Sequence, residues 1–282
     1  MIYVLLLLMV TAVWGWTFVL VKDAITQYPT LPFLELRFIL ALIVMMILVR
    51  RLPSHGELRV GVIAGAVLAA GYLAQTVGLT MTSPGNSGLL TGLFVVFTPL
   101  IDRVFGMPLH RWTIAAVLLA LAGTVMLVGG PTGFGLGDLL TIACAFLFAL
   151  HIVLLSHWSP GLRSAPLAMV QMGASAAIFS AGGSWSLQAP SPSVWLAIAV
   201  TGVFASALAF YVQTWAQQHI SASRTALILT TEPAWAVAAA VLLAGQRFGL
   251  LQAAGAALVL AAIVGHELAH LKFKPHGVEA EA

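Results

Sequence analysis

Apolar residues run along this chain in long blocks, not in the strict alternation of a half-buried strand or the narrow stripe of a surface helix. The blocks cover 2–21, 31–50, 58–79, 84–104, 112–129, 136–156, 166–185, 193–216, 222–244 and 248–270. Each is close to the roughly 20 residues that a helix needs to cross a hydrocarbon core. Short runs rich in proline and glycine at 28–32, 129–135 and 189–192 separate some of them, as turns do. The pattern predicts an all-α integral membrane protein of ten transmembrane helices with short connections.

Two blocks break the apolar pattern in the same way. Ser221–Gly245 carries Glu232 near its middle, followed directly by Pro233. A charge inside a membrane helix costs several kcal/mol unless compensated, and proline leaves the carbonyl of Leu229 without its helical donor. Such a break is tolerated only against protein or a water-filled cavity. Ser83–Gly106 aligns with this stretch end to end at an offset of 138 that slips to 139. Each copy has a Ser cap, a small-residue first turn, an internal proline (Pro99, Pro233) and a closing glycine. Other landmarks recur: Pro32 and Arg37 with Pro166 and Gln171, Thr17 with His151, Tyr72 with Phe210 or Tyr211. The chain therefore reads as a duplication, with repeats at 1–130 and 131–271 and a cytoplasmic tail at 272–282. Five helices per half is odd, so the second half enters the membrane from the opposite side. Inverted repeats of this kind recur in transporters that hold substrate near the bilayer midplane.

Composition strengthens this reading. Apolar residues make up 61% and charged residues 7%, where soluble domains carry about a quarter charged. Arg50, Arg51, Arg59, Arg103, Arg111, Arg163, Arg224, Lys272 and Lys274 fall on one side of an up-and-down walk, and only Lys22 and Arg247 on the other. The positive-inside rule then sets both termini in the cytoplasm. The basic pI near 9.4 reflects these loops and not a nucleic-acid surface. The single Cys144 excludes an intrachain disulfide. The first block lacks the basic start and cleavage site of a signal peptide and reads as a retained helix.

The motifs then become recognisable. Trp14–Gly15, Pro32 with Arg37–Phe38, Glu232–Pro233 and the run Gly255–Leu260 resemble the EamA-type branch of the drug/metabolite transporter superfamily across essentially the whole chain. The finer likeness is to bacterial exporters of aromatic amino acids. That resemblance implies a central cavity lined by predicted helices 1, 3, 4, 6, 8 and 9, export of amino acids, metabolites or drugs, and a bacterial inner-membrane location. Gly245–Gln246 departs from the Gly-Glu pair common in the family at this point.

Candidate substrate-binding residues are Trp14 and Thr17 (helix 1), Tyr72 and Gln75 (helix 3), Asn86 (helix 4), His151 (helix 6), Tyr211 and Trp215 (helix 8), and Thr231, Glu232 and Trp235 (helix 9). Thr91 of helix 4 joins them. Aromatic walls with a few convergent polar groups suit a small amphipathic ligand. The plain alternative places tryptophans and tyrosines in interfacial belts, which fits Trp112, Trp158 and Trp185. Glu232 reads as an anchor for a substrate ammonium or a protonatable coupling site, or else as a protonated carboxyl bonded to a neighbour. His151 reads as a proton relay, a carboxylate partner or a packing residue. Arg37, near the outer end of helix 2 with Glu35 close by, reads as a snorkelling side chain. Pro99 and Pro233 are candidate hinges. Gly61 with Gly65, and Gly88 with Gly92, have the spacing of close helix contacts within one chain.

The run 266–270, His-Glu-Leu-Ala-His, has the spacing of a zinc hydrolase motif. It lacks a third ligand in context, and cationic histidines also suit a helix C-terminus. The expected function is export of amino acids, aromatic ones first, by alternating access and without a cofactor or metal. The alternatives are a proton-coupled exporter of lipophilic cationic drugs or other metabolites, and more remotely a membrane-embedded zinc hydrolase using His266 and His270. A channel is disfavoured, since no ring of charge or filter-like loop occurs. The expected partners are a small-molecule substrate, the lipid bilayer and, as a coupling ion, protons, with no nucleic acid.

Overall fold

The computed structural model describes residues 2–108, 111–127, 135–182, 189–229, 231–247 and 249–272, and all regular structure among them is helical. In chain order the α-helices are α1 (Ile2–Gln27), α2 (Thr30–Leu48), α3 (His55–Met81), α4 (Pro84–Thr91) and α5 (Phe94–Asp102). They continue with α6 (Arg111–Leu127), α7 (Leu136–Trp158), α8 (Ser164–Ala181), α9 (Pro192–Gly202) and α10 (Ala209–Gln217). The last three are α11 (Ala222–Leu229), α12 (Glu232–Leu242) and α13 (Leu250–Lys272). Among the described residues, seven segments are long and apolar enough to cross a membrane: α1, α2, α3, α7, α8, and the near-continuous Pro84–Phe105 and Pro192–Gln217. Large apolar side chains such as Met9, Ile47, Leu118, Leu196 and Leu242 are exposed, a surface that only lipid or protein would cover.

Sequence punctuation explains the helix ends. Ser54 and Glu57 form a reciprocal capping box at α3, with Ser54 N–H donating to Glu57 Oε2 at 2.7 Å. Ser83 and Ser221, matched in the duplication, both cap helix starts, accepting from the N–H of Asn86 and of Arg224. The matched closing glycines, Gly106 and Gly245, both take left-handed backbone with φ of 89° and 61°, which glycine adopts without Cβ strain.

Three rods are interrupted inside. The first break falls at Gly92–Leu93, between α4 and α5, while Pro99 sits within the continuous α5. The second lies just before Glu232, so Pro233 occupies the first turn of α12, where its missing N–H costs nothing. The third is a π-helical turn at Val203–Leu208 joining α9 to α10.

Glycines let the rods approach closely. A Cβ on Gly15 would lie 2.7 Å from Ala236 N and 2.9 Å from Glu232 O, and one on Gly92 would collide with Pro233 Cγ. The two helix breaks therefore touch. Gly61 and Gly65 press α3 against α8, where a Cβ on Gly65 would lie 2.7 Å from Gln171 O. Both glycine pairs serve packing within the chain. The boundary near 130, Trp185, the tail from 273 and the side chains of His266, Glu267 and His270 lie outside the described residues.

Candidate functional site

The rods line a partly open cavity of about 40 Å³. Trp14, Thr17, Phe18 and Val21 of α1 face Tyr72, Gln75, Thr76 and Leu79 of α3 across it. Phe94 of α5, with Phe148, His151 and Ile152 of α7, forms a further wall. Phe210 and Gln213 of α10, Leu229 and Glu232 at the α11–α12 break, and Arg37 of α2 complete it. The rods that the resemblance implied all reach the cavity or pack beside it, and α2 joins them through Arg37.

The walls are aromatic. Tyr72 meets Phe148 and Phe210 edge-on, with ring centroids 5.3 and 6.0 Å apart, and Trp14 lies 5.3 Å from Phe210. Trp14 Nε1 donates to Ala205 O at 2.8 Å, so the π-helical turn supplies the acceptor that a buried indole needs. Such rings give a ligand flat apolar faces while their own polar tips are satisfied.

The polar groups fall into satisfied and unsatisfied sets. His151 Nε2 donates to Gln171 Oε1 at 2.8 Å, and Gln171 Nε2 donates onward to Thr214 Oγ1 at 3.1 Å and Leu167 O at 3.3 Å. That chain fixes both the amide orientation and the imidazole tautomer. Gln75 Nε2 donates to Thr91 Oγ1 at 3.2 Å. Glu232 is buried against the cavity and receives no hydrogen bond among the described residues. Arg37 is only 3% exposed, so it does not snorkel to the interface. Its Nε donates to Ser206 Oγ at 2.8 Å and its guanidinium lies 4.3 Å from the centre of the Tyr72 ring. Arg37 was misjudged from its position near a helix end, because sequence does not tell that α2 is packed among α3, α8 and α9 in the middle of the bundle.

The candidate residues do not all converge. Trp14, Thr17, Tyr72, Gln75, His151 and Glu232 line one cavity. Thr231 stands beside Glu232 and shares a 2.8 Å hydroxyl contact with Thr11, away from the lining. Tyr211 packs at the edge of the core, and its neighbour Phe210 takes the lining position matched to Tyr72. Trp215 joins Tyr3 and His219 in an aromatic cluster, 4.6 Å from the Tyr3 ring. Trp235 is 40% exposed on the outer side of α12. Asn86 sits in the first turn of α4 with its Oδ1 buried and without a hydrogen-bond partner among the described residues. Gln213 was missed, although the duplication could have found it: Gln75–Thr76 and Gln213–Thr214 are the same pair at the offset that relates Tyr72 to Phe210.

Among the described residues, no group of three His, Cys, Asp or Glu could hold a metal ion. Gln246 donates to Ser83 Oγ at 3.0 Å and accepts from Gly85 N at 3.2 Å. It ties the end of one copy of the repeated stretch to the start of the other.

Comparison with known proteins agrees with this architecture. Residues 1–129 and 135–266 each match the EamA-like transporter family. An uncharacterized transporter of Archaeoglobus fulgidus is 29% identical over 264 residues, covering 92% of this chain and 83% of the relative. A protein of known crystal structure superposes with a TM-score of 0.73 over 95% of this chain and 98% of its own, at 20% identity. That last likeness is one of fold.

Proposed function

The chain belongs to the EamA-like transporter family, and from that premise we propose that it carries amino acids, aromatic ones first, out of a bacterial cell through the central cavity. The proposed architecture is ten membrane-crossing rods in two inverted five-rod repeats, in the inner membrane with both termini cytoplasmic. Pairing of the rods supports it. Exchanging first-half rods for their second-half counterparts turns the contact of α3 with α8 into that of α2 with α9, and both occur. It likewise turns α1 with α12 into α7 with α4 and α5, again both present. The exchange maps α2 with α8, α4 with α12 and α6 with α13 onto themselves.

The observation that carries the substrate assignment is the cavity's composition. Glu232 stands at the touching helix breaks without a hydrogen bond from any described residue, sharing the cavity with aromatic walls and the amides of Gln75 and Gln213. A carboxylate so placed is a counter-charge for a substrate ammonium, and the rings accept an apolar or aromatic side chain. Alternating access would move the cavity from one membrane face to the other, with bending at the interruptions near Gly92, Pro233 and the π-helical turn.

The test is uptake of labelled phenylalanine into proteoliposomes, with and without an imposed proton gradient. We expect downhill flux above empty vesicles and its loss, tenfold or more, in Glu232→Gln. Absence of flux from folded, inserted protein would remove the amino-acid reading. The same free carboxylate favours a second reading, proton-coupled export of lipophilic cations. That reading predicts flux of a cationic dye driven by the gradient and abolished by the same substitution.

A further inference from the structure

The reading above leaves the substrate carboxylate without a charged partner. We infer that Arg37 is that partner, so that the site selects solutes bearing both a carboxylate and an ammonium over simple cations. The inference rests on the proposed transport role of the cavity and deepens it.

Arg37 is a permanent cation inside the bundle, lining the cavity and nearly inaccessible from outside it. Its side-chain hydrogen-bond partners in the described structure, Ser206 and Tyr72, are both neutral hydroxyls, and no described carboxylate forms an ion pair with it. Tyr72 supplies a ring face at 4.3 Å, which orients the guanidinium without neutralising it. A desolvated cation with this little compensation is expensive. Guanidinium is also the side chain best shaped to bind a carboxylate with two parallel N–H donors.

The duplication provides an internal control. The residue matched to Arg37 is Gln171, which sits at the corresponding place in α8. Gln171 uses its oxygen on His151 and its nitrogen on Thr214 and Leu167, so a neutral amide suffices to staple α8 to its neighbours. Cross-linking rods at this level does not require charge. What the arginine adds at position 37 is an anion-binding group, on the opposite repeat from Glu232. One anchor per repeat also gives a zwitterion a differential grip on the two halves, which a ligand must have if it is to bias a conformational equilibrium.

The experiment measures binding and proteoliposome flux of phenylalanine, phenethylamine (no carboxylate) and 3-phenylpropionate (no ammonium). Wild type should prefer phenylalanine to either analogue. Arg37→Gln should cut phenylalanine affinity tenfold or more and leave phenethylamine within about threefold, abolishing the preference. Arg37→Lys should restore part of it. Ser206→Ala removes the Nε acceptor but not the charge; it should lower thermal stability while keeping the preference. Equal losses for phenylalanine and phenethylamine in Arg37→Gln, with normal folding, would make Arg37 a structural staple and overturn the inference while sparing the transport reading. Flux of phenethylamine alone in wild type would likewise overturn it and favour the drug reading. If none of the probes moves, both readings fall.

Discussion

The two ends of the bundle are held shut by different chemistry. At the end where α3 begins, an arginine–carboxylate ion pair and a carboxylate–imidazole contact clamp the rods together. Arg163 Nε donates to Glu57 Oε1 and its Nη2 to Oε2, each at 2.8 Å, and Asp102 Oδ1 lies 2.6 Å from His157 Nε2. Beneath the cavity, Gln213 Nε2 donates to Gln217 Oε1, and Gln217 Nε2 bonds Ile152 O and Ser156 Oγ, so the floor is a polar ladder. At the opposite end the ties run to backbone and neutral groups. Lys22 Nζ donates to the carbonyls of Leu79, Thr80 and Thr82 at the C-terminus of α3, a favourable place for a cation. Gln246 holds Ser83 and Gly85 there.

The cavity respects this difference. Its lining reaches Val21 and Leu79, next to the Lys22 tie, yet stops short of the clamped end, where Tyr3 stacks on His219 and Trp215 tilts against both. A bidentate pair with its carboxylate 2% exposed is a stronger latch than a surface ion pair. Arg163 lies outside the spans, and its hydrogen bonds to Glu57 raise its pKa above the ordinary arginine range. A raised folded-state value stabilises at every pH below the ordinary one, so the Arg163–Glu57 pair does not respond near neutrality through Arg163. The structure thus pairs a locked end with a lightly tied one, as one state of the proposed alternating cycle requires.

Breaking the clamp should have the largest effect. Glu57→Ala removes all three Arg163 hydrogen bonds, two from the guanidinium and one from the backbone N–H, and the capping box together. We expect a cysteine introduced at Ser156 to react with an impermeant maleimide about tenfold faster from the clamped side, a change on the order of 1.4 kcal/mol in the opening equilibrium. Unchanged labelling would show that the ladder and aromatic cluster close that end unaided. Lys22→Met should act at the other end and less strongly. Labelling of Val21→Cys should rise about threefold there, while that of Ser156→Cys falls or stays at its low starting level. A rise at both positions would refute alternation between the two ends. Gln246→Glu is expected to be nearly silent, within about 1 kcal/mol in thermal stability. The carboxylate loses the donation to Ser83 but still accepts from Gly85 at a helix N-terminus, where negative charge is favoured. A large loss would give the amide nitrogen a greater part than its single bond implies. Cys144 is fully buried and should stay silent in all these assays.

Much of this was legible in the chain itself. The rods were, because blocks of apolar residues near 20 long have few other folded fates. The helix caps and closing glycines were, because their chemistry is local. The interruption beside Pro233 followed from proline's missing donor, whereas the one at Gly92–Leu93 carries no such mark, and Pro99 drew attention to the wrong turn. Phe210 and Tyr211 differ by one position, about 100° of helix rotation, and only packing decides which ring faces inward. Trp215 belongs to a cluster completed by Tyr3 from the other end of the sequence. Partners that distant in the chain leave no local trace.

The contact of Gly92 with Pro233 bears on the history of the chain. At the offset of 138, Gly92 matches Thr230 and Pro233 matches Val95. Two identical subunits related by a twofold axis would make such a contact twice or not at all. In the proposed duplication a fused chain is free to keep a keyhole on one copy and a key on the other, and the sequence has the glycine and the proline of this contact once each in that register. Covalent joining of two copies would release each from having to match its partner at such a contact.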